Sequence, residues 1–213
     1  MTKTAVLAAV ATLAFAGTAQ AQICAGYPTS DRGLYFGGRA DFPEDVDSYG
    51  VEANYNFSGP LGVYGGLNVL SEDGNDEDEE SEDEIYAGLA FEVASLGLMI
   101  GPRVSACPVV EARYIDFEGL GTYMQIPIGL GLGASLGIPM LPSASAYVQP
   151  QLVITRVDFD DDLTEADTET ETDFGIKAGA NVGFGLITVG GAGRHVFVDE
   201  ADPVFGIRLG IRF

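Results

Sequence analysis

The 213-residue sequence contains no tryptophan, one histidine, two cysteines and only ten lysines and arginines in total. The lone His195 argues against the hydrolases that need a histidine beside a positioned serine or aspartate, because no such motif surrounds it. The shortage of basic residues, with a formal net charge of −22, excludes nucleic acid as a partner, since phosphates require clustered lysine and arginine. We expect neither catalytic activity nor a cofactor.

Long apolar segments are also lacking. The only sustained apolar run covers residues 5–16, which is shorter than the roughly 20 residues of a membrane-spanning helix. The run follows Lys3 and precedes Ala19-Gln20-Ala21, a pattern typical of a cleaved secretory signal. We therefore expect residues 1–21 to be removed, residues 22–31 to form a periplasmic N-terminal segment, and residues 32–213 to form one folded domain.

Glycine, in contrast, is abundant, with 29 residues, whereas helix interiors avoid it at a cost of about 1 kcal/mol each. Segments in which apolar and polar residues alternate run along the chain. Each has the length that a tilted strand needs to cross a bilayer. The pattern predicts ten strands, at about 32–42, 48–57, 61–70, 84–93, 104–117, 122–136, 144–158, 172–186, 187–198 and 204–213. Residues 94–103 can be placed only as a long turn, and an eight-stranded barrel is the alternative if one of the shorter segments is not a strand.

The connections between the predicted strands fall into two sets. Those after odd-numbered strands contain the acidic stretches at 41–47, 72–84, 158–173 and 199–202. Those after even-numbered strands are short and almost uncharged. Outer-membrane barrels have long outward loops and short periplasmic turns, so the pattern predicts an all-β, closed antiparallel transmembrane β-barrel with long acidic extracellular loops and both termini in the periplasm.

Alternation within the strands supports the same fold. In residues 172–186 the apolar side chains share one face, and Asp173, Lys177, Asn181 and glycines share the other. A slip of one residue would move every charge into lipid. A soluble periplasmic ligand-binding barrel would need an apolar interior, which these charges oppose. The outward face also carries aromatic residues near both rims: Phe42, Tyr49, Tyr114, Phe174, Phe197 and Phe205 at the outer rim, and Phe57, Phe91, Phe184 and Phe213 at the periplasmic rim.

The last strand, residues 204–213, has an apolar face that ends in an aromatic ring and consists of Phe205, Ile207, Leu209, Ile211 and Phe213. It resembles the closing strand that the barrel-assembly machinery recognises in bacterial outer-membrane proteins. Together with the signal sequence and the glycine-rich segment 126–133, it makes the chain similar to the outer-membrane β-barrel domain family that includes small OmpA-like and OmpX-like proteins. The resemblance implies a location in the bacterial outer membrane, in contact with its lipids and lipopolysaccharide.

Strand parity also places charged side chains in the lumen, where opposite charges are expected to pair because an unpaired buried charge is costly. We expect Arg208 and Arg212 to be partners of Glu52, Glu92 and Glu111. A lumen plugged by side chains is one interpretation, which leaves the protein a structural or surface-interaction role. A small channel or porin for ions or small solutes is the alternative. The predicted network comprises Arg39, Glu52, Glu92, Glu111, Arg113, Lys177, Arg194, Arg208 and Arg212.

Three further features carry expectations. An even cysteine count in a secreted protein predicts a disulfide between Cys24 and Cys107, which would pin the N-terminal segment into the periplasmic mouth.

Pro127 and Pro150 predict bulges or gaps in their strand ladders. The acidic run 73–80 lacks the spacing of an EF-hand loop, so no specific metal site is predicted. Weak screening by divalent cations is expected at Asp73, Asp76 and Asp78.

Overall fold

The computed structural model describes residues 21–27, 33–43, 46–57, 60–72, 81–97, 101–117, 121–137, 142–159, 168–198 and 201–213. They form a short helix, α1 (Ala21–Ala25), and eleven strands. No helix in this part of the chain is long and apolar enough to span a membrane. The strands are β1 (Leu34–Phe42), β2 (Val46–Asn56), β3 (Leu61–Glu72), β4 (Ser81–Phe91), β5 (Ala94–Gly97), β6 (Gly101–Phe117), β7 (Gly121–Gly137), β8 (Ser143–Phe159), β9 (Glu169–Phe184), β10 (Ile187–Val196) and β11 (Val204–Arg212).

Ten of these strands close into an antiparallel barrel, and β5 is the additional one. The closure pairs β1 with β11, so that Tyr35 lies opposite Arg212 and Phe42 opposite Phe205. All ten predicted strands are present, and their ends lie within three residues of the predicted positions. The ten-stranded prediction is therefore confirmed, and the eight-stranded alternative is wrong.

Residues 94–103 differ from the long turn that was predicted. Ala94–Gly97 form β5, which pairs with residues 103–106 of β6. Ala90 of β4 lies opposite Val109, whereas Ala94 lies opposite Ala106. One residue is therefore extra between β4 and β5, which is a β-bulge. The bulge changes the parity of the strand, and this is why simple alternation does not detect its continuation.

Of the four prolines within strands, Pro127 and Pro150 each lie at a gap in one ladder. Pairing of β6 with β7 stops opposite Pro127 and resumes in the same register. Pairing of β7 with β8 has a similar gap at residues 130–131 opposite 149–150, again without a change of register. Because proline has no backbone N–H to donate, the ladder opens locally and the strand order is unaffected.

The barrel is apolar outside and polar inside. Large apolar side chains such as Ile207 and Leu209 are 59% exposed on the outer face. All ten aromatic residues that the sequence places outside are exposed as well. The interior instead holds buried charged and amide side chains, among them Glu52, Asn68 and Gln149. This is the reverse of a soluble barrel and is typical of a barrel surrounded by lipid.

The two ends of the barrel differ, and we name them for their positions. The terminal rim contains Gly33, the tight turn Gly185–Leu186, and Phe213, whose backbone N–H donates to the Leu34 carbonyl at 2.9 Å. Gly185 has a φ of 61°, in the left-handed region that favours glycine. The loop rim lies at the other end, where β6 ends at Phe117 and β8 ends at Phe159. Most of the acidic connections of the sequence leave from the loop rim and lie outside the described residues.

Candidate functional site: the barrel interior

The chain segment before β1 lies inside the barrel at the terminal rim. We call residues 21–27 the plug. The side chains of Ile23, Cys24, Ala25 and Tyr27 are at most 2% exposed. A disulfide joins Cys24 to Cys107 of β6, with their Cα atoms 5.7 Å apart. This is the cysteine pair that the sequence predicts, and it ties the plug to the barrel wall.

The glycines of β7 make room for the plug. A Cβ atom at Gly133 would lie 2.9 Å from the Ile23 carbonyl carbon and 3.0 Å from the Cys24 nitrogen. A Cβ atom at Gly131 would collide with the Cys24 backbone. Side chains at these two inward positions would therefore displace the plug. The glycine-rich segment of β7 therefore allows the plug to pack closely against this strand.

Polar contacts and rings hold the plug from the opposite wall. The Gly26 carbonyl accepts hydrogen bonds from Arg208 Nη1 at 2.9 Å and from Asn181 Nδ2 at 3.2 Å. The Tyr27 ring lies 4.9 Å from the ring of Tyr64, centroid to centroid. Burial raises the pKa of the Tyr27 phenol well above its usual range, so the side chain is neutral at physiological pH. The plug is thus fixed covalently on one side and by hydrogen bonds on the other.

A layer of paired charges lies between the plug and the loop rim. Glu52, which is 1% exposed, accepts hydrogen bonds from the hydroxyls of Tyr35 at 3.1 Å and Tyr86 at 3.2 Å. Arg208 Nη1 lies 3.8 Å from its carboxylate. Two hydrogen bonds and one arginine therefore surround the buried Glu52 carboxylate.

A second cluster of the same layer surrounds Arg113. Its guanidinium contacts Glu111 at 2.5 Å and Glu84 at 2.9 Å. Glu84 also accepts a hydrogen bond from Asn68 Nδ2 at 2.5 Å, and Lys177 Nζ lies 3.4 Å from Glu111. The contacts of Glu84 join the adjacent strands β3, β4 and β6, and the Lys177–Glu111 pair reaches across the lumen from β9. The charge layer therefore links opposite walls of the barrel.

Tyr86 separates two guanidinium groups within this layer. The Cζ atom of Arg113 lies 5.2 Å from the Tyr86 ring centroid, and that of Arg39 lies 5.6 Å from it. Arg39 forms its own ion pair with Asp41 at 2.5 Å. The π face of the ring attracts both cations, which allows two arginines to share a narrow lumen.

The structure places the predicted lumen residues in three different settings. Arg39, Glu52, Glu111, Arg113, Lys177 and Arg208 are buried in the charge layer. Arg194 is half-buried near the loop rim, and Glu92 is half-buried at the β4–β5 bulge. Arg212 lies at the terminal rim and donates to Ser143 Oγ at 3.3 Å and to the Gly185 carbonyl at 2.7 Å. Asp73, Asp76 and Asp78 lie outside the described residues.

Sequence reasoning missed two carboxylates and four tyrosines of the interior. Asp41 and Glu84 belong to stretches assigned to acidic loops, although both lie within strands and form ion pairs. Parity alone would have found them, because Asp41 shares a strand face with Arg39. The tyrosines are Tyr35, Tyr64, Tyr86 and Tyr147, all buried.

An open cavity of about 330 Å³ occupies the lumen on the loop-rim side of the charge layer. We call it the vestibule. Its inner end is formed by charged side chains, and its walls combine apolar residues with amides and one phenol. The lining includes Glu84, Glu111, Arg113, Lys177 and Arg194 at the inner end, and Ile115, Phe117, Tyr123, Gln125, Pro127, Gln151, His195, Val196, Ala201, Asp202 and Val204 around and above it.

The sequence matches no protein-family model and no curated protein. Solved structures nevertheless share its architecture. LpxR from Salmonella typhimurium, an outer-membrane β-barrel, superposes with a TM-score of 0.50 at 12% identity, over 79% of this chain and 73% of that one. The fold is that of an outer-membrane β-barrel.

Two smaller barrels are more distant matches. The N-terminal β-barrel domain of Pseudomonas aeruginosa OprF and the Yersinia pestis attachment invasion locus protein Ail each have a TM-score of 0.35 at 11% identity. Each match covers 85% of this chain and 97% of the other.

Proposed function

We propose that this protein is a bacterial outer-membrane barrel with a structural or surface-interaction role, whose lumen is closed by its own N-terminal segment. The observation that carries the proposal is the plug. Residues 21–27 lie across the lumen at the terminal rim, and the charge layer fills the section next to it. A solute that enters the vestibule meets paired charges and then the plug.

Orientation follows from the two rims. In this proposal the terminal rim faces the periplasm, and the loop rim presents the acidic connections to the exterior. The exposed apolar face of the strands contacts lipid, as the Ile207 and Leu209 side chains of β11 illustrate. The net charge of −22 would then be concentrated at the cell surface, where divalent cations can bridge it to anionic lipopolysaccharide. During biogenesis β11 would be the strand presented to the barrel-assembly machinery.

Planar-bilayer recording of the purified, refolded protein tests the closed lumen. We expect no stepwise conductance from the wild-type chain. A variant with Cys24→Ser and Cys107→Ser loosens the plug and provides the comparison. Stepwise conductance of the wild type that changes when Arg113 or Glu111 is substituted would overturn the proposal in favour of the small channel.

Labelling of intact cells tests the orientation. An epitope inserted between residues 163 and 164, in the acidic stretch before β9, should react with antibody on intact cells. The same epitope inserted between Gly185 and Leu186, in the tight turn of the terminal rim, should react only when the outer membrane has been permeabilised. The reverse pattern, or extraction of the protein into detergent-free buffer, would contradict an outer-membrane barrel in this orientation.

A further inference from the structure

One basic side chain of the vestibule has no ion-pair partner within the described part of the chain. Arg39, Arg113, Lys177 and Arg208 each form an ion pair in the interior. The Arg194 guanidinium, which lines the vestibule, forms no ion pair or side-chain hydrogen bond with any residue that the structure describes. A half-buried guanidinium in such a setting is a receptor for an anion.

The carboxylates of Glu84 and Asp41 attract Arg194, but neither lies within ion-pair distance of it, and each is paired with a nearer arginine. Glu84 and Glu111 lie at the inner end of the vestibule, and both are already engaged by Arg113, with Lys177 as a further partner of Glu111. With the Arg39–Asp41 pair included, four basic groups, counting Arg194, face three carboxylates. The remaining carboxylate of the lining, Asp202, comes from the segment that leads into β11 at the loop rim. The inner end therefore has an excess of one positive charge.

The walls determine what kind of anion fits. Ile115, Phe117, Pro127, Val196 and Val204 provide apolar surface. The volume of about 330 Å³ lies at the lower end of the range of ligand pockets, roughly 300–1,000 Å³, in which a few polar groups orient a mainly apolar ligand. Inorganic phosphate or sulfate would leave this apolar surface uncovered and would bring more charge than the single excess cation can match.

We propose that the vestibule binds a small organic monocarboxylate, with the carboxylate on Arg194 and the apolar body against Ile115, Phe117 and Val204. The site faces the loop rim and ends at the charge layer. Binding is therefore independent of whether the barrel conducts, and it adds a ligand to a protein proposed above as a surface barrel.

Fluorine NMR with 4-fluorobenzoate as the probe tests the proposal on the full mature barrel in lipid nanodiscs. We expect saturable binding to the wild type and a loss of affinity of about tenfold or more in Arg194→Gln, since a charge-assisted hydrogen bond is removed. The neutral 4-fluorobenzamide should bind at least about tenfold more weakly than the benzoate. Asp202→Asn should tighten benzoate binding, because it removes a nearby negative charge.

Arg156→Gln is the matched control. Arg156 pairs with Asp158 near the loop rim, its side chain is 47% exposed, and it does not line the vestibule. The substitution removes the same charge and should leave benzoate binding unchanged. Arg194→Lys, which keeps the charge, should retain most of the affinity, and heat-modifiable mobility on gels reports that each variant folds.

Three results would overturn the proposal: equal benzoate binding by Arg194→Gln and the wild type, equal affinity for the benzamide and the benzoate, or equal loss of binding in the Arg156 and Arg194 variants. The second comparison uses the wild type alone, so the test stands even if a variant does not fold.

Discussion

Arg208 lies over the ring of Tyr27, with its Cζ atom 5.2 Å from the ring centroid. The same guanidinium donates to the Gly26 carbonyl and lies within ion-pair distance of Glu52. One side chain of the closing strand therefore contacts both the plug and the charge layer. The stability of the barrel and the position of the plug are coupled through this residue.

Arg208→Gln should destabilise the folded barrel by about 3–5 kcal/mol, because it leaves the buried Glu52 carboxylate without its cation. Urea unfolding in lipid vesicles, followed by far-ultraviolet circular dichroism, measures the change. Adding Glu52→Gln to the same chain should restore part of the loss, since no uncompensated charge remains.

The control for this prediction is Arg156→Gln. Its ion pair with Asp158 is largely exposed, and surface pairs contribute only about 0–1 kcal/mol. If Arg208→Gln were no more destabilising than Arg156→Gln, the proposed coupling between plug and charge layer would be wrong.

Removal of the disulfide by Cys24→Ser should lower the free energy of unfolding. The bond closes a loop with a sequence separation of 83 residues, for which the chain-entropy model gives about 4–5 kcal/mol. The urea midpoint of the oxidised wild type should exceed that of the variant. Reductant present during refolding should lower the wild-type midpoint and leave Cys24→Ser unchanged; identical midpoints with and without reductant in the wild type would contradict the assignment.

Alternation made most of the fold predictable from sequence. Residues 172–186 repeat so regularly that strand length, register and facing side follow directly, and the structure confirms β9 and its neighbours. The bulge between β4 and β5 could not be predicted in this way, because an extra residue inverts the parity on which the method depends. The glycines and the proline around the bulge are typical of turns, so this part of the sequence predicts a turn.

The site was less predictable than the fold because its contacts depend on which strands face each other across the lumen. Parity indicates that Arg113 points inward, but its pairing with Glu84, 29 residues earlier, depends on the register of β4 against β6, which the sequence between the two strands does not reveal. The same holds for Arg194, whose lack of a partner results from the pairing of every neighbouring cation. The contacts between the plug and Gly133 could not be predicted either, because a glycine in the sequence does not show which segment packs against it.

Gly133→Val should exclude the plug without preventing barrel formation. The new side chain would occupy the space of Ile23 and Cys24, so Cys24 could no longer reach Cys107. We expect free thiols on alkylation and non-reducing mass spectrometry of the refolded protein, together with retained heat-modifiable mobility.

Gly191→Val is the control for that experiment. Gly191 lies on the exposed face of β10, and the nearest atom to a Cβ there is the Gly206 carbonyl oxygen at 3.6 Å, an ordinary contact distance. This variant should form the disulfide as the wild type does. A complete disulfide in Gly133→Val would show that the plug does not need the space that glycine leaves in β7.

Leu209→Arg should destabilise the barrel in lipid by about 2–4 kcal/mol, the cost of a cationic side chain at the bilayer midplane. Leu209 lies in the middle of β11, between Gly38 and Val189 of the flanking strands, and is 59% exposed. Phe205→Arg, near the loop rim of the same strand face, should cost only about 0–1 kcal/mol because charge is tolerated near the interface. Urea midpoints in lipid vesicles measure both. A soluble barrel would tolerate arginine equally at the two exposed positions, so equal midpoints for the two variants would contradict the lipid-facing assignment of this strand.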